Sequence, residues 1–158
     1  MNDKLNFLGK SYKSGGPVVA SVARVGGNFN GNVGDNQLEF NQVYADTHGI
    51  VDNFTSGKTQ FIIPRQGLYR LCCTLNDQKS AARVNILYIV INGISRMYRA
   101  NTAYSSSDDA VTIEFSLPLN TGDRVTFVVN CSATVVFYGG TADGSVACYA
   151  SVQEIPTV

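Results

Sequence analysis

The chain has 158 residues, 44% of them hydrophobic and 15% charged, with Lys+Arg and Asp+Glu at 12 each and a formal charge of zero. That length suits one domain with a substantial core, and the charge balance argues against the clustered positive surface that nucleic acid or acidic lipid requires. No stretch approaches the ~20 apolar residues that cross a bilayer, and the first ten residues lack the apolar segment of a secretory signal.

Residues 1–16 read as a polar arm ahead of a domain that spans 17–158. Val18, Ala20 and Val22 alternate into Arg24 as a first strand, followed by a Gly/Asn-rich loop over residues 26–36. Gly and Asn tolerate left-handed backbone angles, and a long loop on a rigid scaffold is a common place for binding. Asn28, Phe29, Asn30 and Asn32 are therefore its binding candidates. Leu38, Phe40, Gln42 and Tyr44 alternate with Glu39, Asn41, Val43 and Ala45 as the next strand. Residues 60–64 and 67–75 form two more apolar runs, and 84–92 ends in Asn92-Gly93, a hairpin signal. Val111, Ile113, Phe115 and Leu117 stand against Thr112, Glu114, Ser116 and Pro118 as a half-buried strand. The turn Asn120-Thr121-Gly122-Asp123 leads into Val125, Phe127, Val129 and Cys131, and residues 135–138 and 145–153 close the domain. Many short strands at this spacing predict an all-β, antiparallel two-sheet sandwich of jelly-roll type.

Two strands exceed what a sandwich needs. From Val84 to Ile91 nearly every position is apolar, and Leu68-Tyr69-Arg70-Leu71-Cys72-Cys73 is similar. A strand with one wet face needs apolar residues on the other face only, so oligomerisation is favoured as the cover for the second faces.

Reactive chemistry is sparse. Gly57-Lys58-Thr59 and Gly9-Lys10-Ser11 resemble the end of a phosphate loop but lack its earlier glycine. His48, the only histidine, lies near Asp46 and Asp52 in a loop and reads as solvated rather than as a catalytic base. Cys72 and Cys73 are adjacent and would point to opposite faces of a strand; with Cys131 and Cys148 they read as small buried hydrophobes rather than a disulfide framework. No Cys-x-x-Cys supports zinc. Asp108, Asp109 and Asp143 are the candidates for calcium, without the oxygen-rich spacing of a dedicated loop. The triplets at Asn53 and Asn130 fit glycosylation but are no more frequent than chance gives. No catalytic residue, cofactor or metal is expected.

The order of several motifs resembles the complement-1q globular heads, a branch of the tumour-necrosis-factor-like jelly rolls. Phe40 is followed by Asp46 with five residues between them, Phe54 precedes Phe61, and Phe61-Ile62-Ile63-Pro64 leads to Gly67-Leu68-Tyr69. Val90-Ile91-Asn92-Gly93, Leu119-Asn120-Thr121-Gly122-Asp123-Arg124-Val125 and Ser145-Val146-Ala147-Cys148-Tyr149 follow in the family's order. Leu71 and Cys73 stand where the family usually carries aromatics. The resemblance implies a homotrimer around a threefold axis where inner-sheet aromatics meet, with Tyr69, Phe115 and Tyr149 as candidates.

The function expected is a non-enzymatic trimeric module on a virion surface, such as that of a bacteriophage: a head fibre, capsid decoration or receptor-binding knob, tethered by the arm of residues 1–16. The alternative is a secreted ligand or pattern-recognition head. Expected partners are a capsid or other virion protein, or a cell-surface protein or glycan, without nucleic acid and without membrane insertion.

Overall fold

Alternating apolar residues with turn residues between them build two packed β layers. The computed structural model describes residues 4–5, 11–12, 16–52, 58–77, 83–104, 109–140 and 148–156, and all their regular structure is strand. In chain order these are β1 (Lys4–Leu5), β2 (Ser11–Tyr12), β3 (Val19–Arg24), β4 (Phe29–Gly31), β5 (Gly34–Gln37), β6 (Gln42–Asp46), β7 (Val51–Asp52) and β8 (Gln60–Ile62). The longer strands β9 (Gly67–Asp77), β10 (Arg83–Ile91), β11 (Ser95–Tyr104), β12 (Asp109–Leu119) and β13 (Arg124–Cys131) follow, then β14 (Val135–Phe137) and β15 (Cys148–Ile155). No helix among the described residues is long and apolar enough to cross a membrane.

One sheet has seven strands, ordered β4-β14-β9-β15-β3-β6 with β12 along the other edge of β9; the second has six, ordered β11-β10-β13-β8-β7 with β5 beside β13. All the pairings are antiparallel. Within the arm, β1 pairs with β2. The core lies between the sheets. Leu71, Cys73, Leu75, Ile113, Ala150 and Val152 from one layer meet Phe61, Leu87, Ile89, Val125, Phe127 and Val129 from the other, all buried. Phe61 and Phe127 pack edge to face with centroids 6.1 Å apart, and side chains of this size contribute about 1.5–3 kcal/mol each on burial.

Several strands depart from the sequence expectation, each for a local reason. Leu38 and Phe40 are buried, but the strand begins only at Gln42, and Gln42 and Tyr44 are exposed. Val22 pairs with Val43 and Ser21 with Ala45, so Tyr44 is an extra residue in a bulge that breaks the alternation. The 26–36 segment holds β4 and β5, because its chain rejoins β14 and β13 through backbone ladders. Gly139 is why that approach is so close: a Cβ there would sit 1.8 Å from the Gly27 carbonyl oxygen.

One end of the sandwich is closed by a polar latch. Glu154 on β15 accepts hydrogen bonds from Arg65 Nε at 2.9 Å and from the Val18 amide at 3.0 Å, and its second Arg65 contact, to the terminal nitrogen, completes a fork. Arg65 also donates to the Gly16 carbonyl at 2.8 Å, and its own carbonyl accepts from the Tyr69 hydroxyl at 2.8 Å. The guanidinium holds the Glu154 carboxyl below the ordinary carboxylate range, and burial raises the Tyr69 phenol.

Candidate assembly face

The face of the seven-stranded sheet that turns away from the core can be read as cross-strand rows. One runs Gln42, Ala23, Tyr149, Thr74, Thr112, and the next Ala45, Ser21, Ser151, Cys72, Glu114. A third runs Val19, Gln153, Arg70, Ser116, and a fourth Ile155, Leu68, Pro118. Side chains on one face of a sheet at paired positions are direct neighbours. Apart from Gln42 and Gln153 these rows are small, hydroxylated or apolar, and their charged side chains are Arg70 and Glu114.

Those two neutralise each other. Arg70 Nε and a terminal nitrogen reach Glu114 Oε1 at 2.9 and 2.7 Å. Thr74 and Thr112 share a hydroxyl hydrogen bond of 2.9 Å. Cys72 is half-buried, and burial first, then the nearby Glu114 charge, raises its thiol pKa, so it remains a neutral group. A broad face with no unpaired charge and a projecting tyrosine is inexpensive to dehydrate. That is the requirement for packing against another copy.

The three aromatic candidates lie on three strands of this one sheet but point differently. Tyr149 is on the outward face and 39% exposed. Phe115 pairs with the buried Leu71, which puts it on the core side; because β12 is an edge strand, Phe115 is nevertheless 40% exposed at the open side of the sandwich. Tyr69 corrects the sequence expectation. It is fully buried in its own subunit with its hydroxyl bonded to Arg65, so it has no surface to offer a partner. Burial signals in the sequence could not separate these cases, because Gly67-Leu68-Tyr69-Arg70 is apolar on both sides of the pleat. Leu68, Arg70 and Cys72 are the β9 residues on the outward face.

The loop candidates lie at the opposite end of the sandwich from the Glu154 latch, beside the end of β9. Asn28 accepts a hydrogen bond from the Gly139 amide at 3.1 Å. Phe29 stacks on Phe137 at 4.8 Å, with Arg24 6.0 Å from its ring centroid, so this ring is part of the fold's packing. Asn30 pairs with Val136 in the ladder and its side chain is exposed. The Asn32 backbone is held in both directions by the Asn36 amide, at 3.0 and 2.7 Å. These bonds hold the segment, and Asn28, Asn30 and Asn32 are exposed on it together with Val33 and Asp35.

Residues singled out for reaction chemistry are committed to the fold. The Asp46 carboxylate accepts from the Ile50 and Val51 amides at 2.8 and 3.2 Å, and His48 Nδ1 meets Thr47 Oγ1 at 2.8 Å. Thr59 is buried and braces Phe40 through hydrogen bonds in both directions. None of the four cysteines is in a disulfide, and three of them are buried. No group of three or more His, Cys, Asp or Glu could hold a metal among the described residues. Asp108, Asp143, Asn53, Phe54 and residues 145–147 lie outside the described residues.

No protein-family profile matches the sequence, and no curated protein matches it. Solved structures do match in shape. The crystal structure of murine APRIL superposes with a TM-score of 0.61 at 9% identity, covering 89% of this chain and 100% of that one. The structure of Eiger TNF from S. frugiperda superposes with a TM-score of 0.63 at 11% identity, covering 90% of this chain and 94% of that one. Identities this low establish a shared fold.

Proposed function

We propose that this chain, which has the tumour-necrosis-factor-like jelly-roll fold, is a non-enzymatic binding and structural module that assembles as a homotrimer through the outward face of its seven-stranded sheet. The observation that carries this reading is the row pattern of that face: Tyr149, Ser151, Cys72 and Leu68 flank a single self-neutralised ion pair. Exposed faces of this kind mark contacts, and a closed ring of identical subunits covers every copy equally.

The experiment is a native mass measurement over a dilution series, made on the wild type and on Ser151→Glu. The wild type is expected at about three times the 17.0 kDa chain mass. Placing a carboxylate beside Cys72 and Glu114 should release folded monomer, because an uncompensated charge would have to be dehydrated. A wild type that is monomeric at every dilution would overturn the assembly reading.

The finer proposal is that the trimer sits on a virion surface as a decoration, head fibre or receptor-binding knob, tethered by residues 1–16. Four cysteines outside any disulfide support assembly in a reducing compartment. Deleting residues 1–16 should leave a trimer that no longer attaches to particles; normal attachment would sink the tether. The second reading, an extracellular ligand or pattern-recognition head, is supported by the shape match to murine APRIL and to Eiger TNF. Binding of the tagged trimer to cell surfaces rather than to particles would favour it.

A further inference from the structure

The outward face of the six-stranded sheet carries a groove of about 500 Å³ where β5, β8 and β13 meet the turn after β10. Gln37, Gln60, Asn92, Gly93, Arg124 and Thr126 line it. Phe61, Val125 and Phe127 alternate with these residues and face the core, so the polar lining follows from the period of the strands.

The hydrogen bonds already made fix what remains for a ligand. Gln60 Nε2 donates to Asp52 Oδ2 at 2.7 Å, and Gln37 Nε2 donates to the Thr59 carbonyl at 3.3 Å. A carboxylate and a carbonyl can only accept, so both amides are oriented with nitrogen inward and Oε1 left as an acceptor. Asn92 is spent on the turn: Nδ2 donates to Asp123 Oδ1 and Oδ1 accepts from the Arg124 amide, both at 2.9 Å. Asp123 is spent too, its Oδ2 accepting from the Asn120 amide at 2.7 Å. That leaves the exposed Arg124 guanidinium with no carboxylate partner among the described residues.

The groove therefore presents one forked cation, two amide oxygens and the Thr126 hydroxyl, and none of its six lining residues is an apolar type. An apolar ligand would leave those polar groups unmatched. A phosphodiester chain needs several cations, and among the described residues Arg124 alone lines the groove. A ligand with one carboxylate and several hydroxyl donors matches every open group, and the volume lies in the range of small-molecule sites. We propose that this groove binds an acidic saccharide, its carboxylate on Arg124 and its hydroxyls on Gln37 and Gln60. The site is within one subunit and on the sheet opposite the assembly face, so it stands whether or not the trimer forms.

The test is saturation-transfer NMR on the full chain with N-acetylneuraminic acid and glucuronic acid, compared with glucose and acetate, and with native mass recorded on the same samples. Both acids should receive saturation while glucose and acetate do so weakly. Arg124→Ala should weaken binding about tenfold or more, the loss of a charge-assisted pair. Arg124→Lys should retain part of it, because a point charge replaces the fork. Gln37→Ala with Gln60→Ala should abolish the advantage of the acidic sugars over acetate. No saturation of either acid, acetate binding equal to the acids, or an unchanged Arg124→Ala would each overturn the proposal. Native mass reports on assembly independently of these outcomes.

Discussion

Replacing Glu154 by Gln tests whether the latch holds the start and end of the fold together. The substitution keeps the shape and removes the charge, and its amide nitrogen must face either Arg65 or the Val18 amide, both of which are donors. Hydrogen bonds to a charged group contribute about 1.5–3 kcal/mol each. Arg65 is 41% exposed and Glu154 15%, so solvent screening reduces the expected loss to about 2 kcal/mol in all. At roughly 2–4 °C per kcal/mol for a chain of this size, the midpoint should fall by about 4–8 °C at pH 7. The pH dependence supplies a second check. The folded-state pKa of Glu154 lies below its ordinary value, so its contribution is complete above that ordinary value and fades as pH falls through the folded one. Thermal unfolding followed by circular dichroism at fixed protein concentration should therefore show wild type and variant far apart at pH 7 and converging in acid. Equal midpoints at pH 7, or a gap that persists unchanged when the wild-type carboxyl is protonated, would refute the reasoning.

Gly31→Ala should cost about 1–3 kcal/mol by overpacking, since a Cβ there would lie 2.8 Å from Phe137 and 2.9 Å from Cys131; chemical denaturation measures it. Phe137→Ala should cost more, about 3–5 kcal/mol, because that buried ring also supports Phe29. Thiol titration should find Cys73, Cys131 and Cys148 unreactive until the protein unfolds, as they are buried. Cys72 lies on the face proposed for assembly, so it should be protected in the wild type and become titratable in a Ser151→Glu monomer. Fast modification of Cys72 in the intact trimer would place the interface elsewhere.

How legible the fold was depended on whether one strand face or two carried apolar residues. From Val111 to Leu117 the alternation alone identified the strand and its buried face. It did not show that β12 is an edge, which is why Phe115 is half exposed despite facing inward. The Leu38 to Tyr44 alternation continued on paper past a bulge that no local residue announces. In β9, neighbouring apolar residues left the facing of Tyr69 open, and the Arg65 carbonyl that satisfies its hydroxyl comes from a turn four residues upstream. The groove was less legible still. Arg124, Gln37, Gln60 and Asn92 are far apart in sequence, and only the ladders of β13 bring three of these segments together.

The Glu154 latch also makes the domain nearly a closed ring. Val18 and Glu154 exchange backbone and side-chain hydrogen bonds, so the start of β3 and the end of β15 leave from one pole. A linker of a few residues can splice them, with new termini opened at the exposed Asn120-Thr121-Gly122 turn, a rearrangement that compact domains with adjacent ends tolerate. Such a permuted chain would keep every core contact while moving any fused cargo across the same end of the sheet, from β15 past β9 to β12.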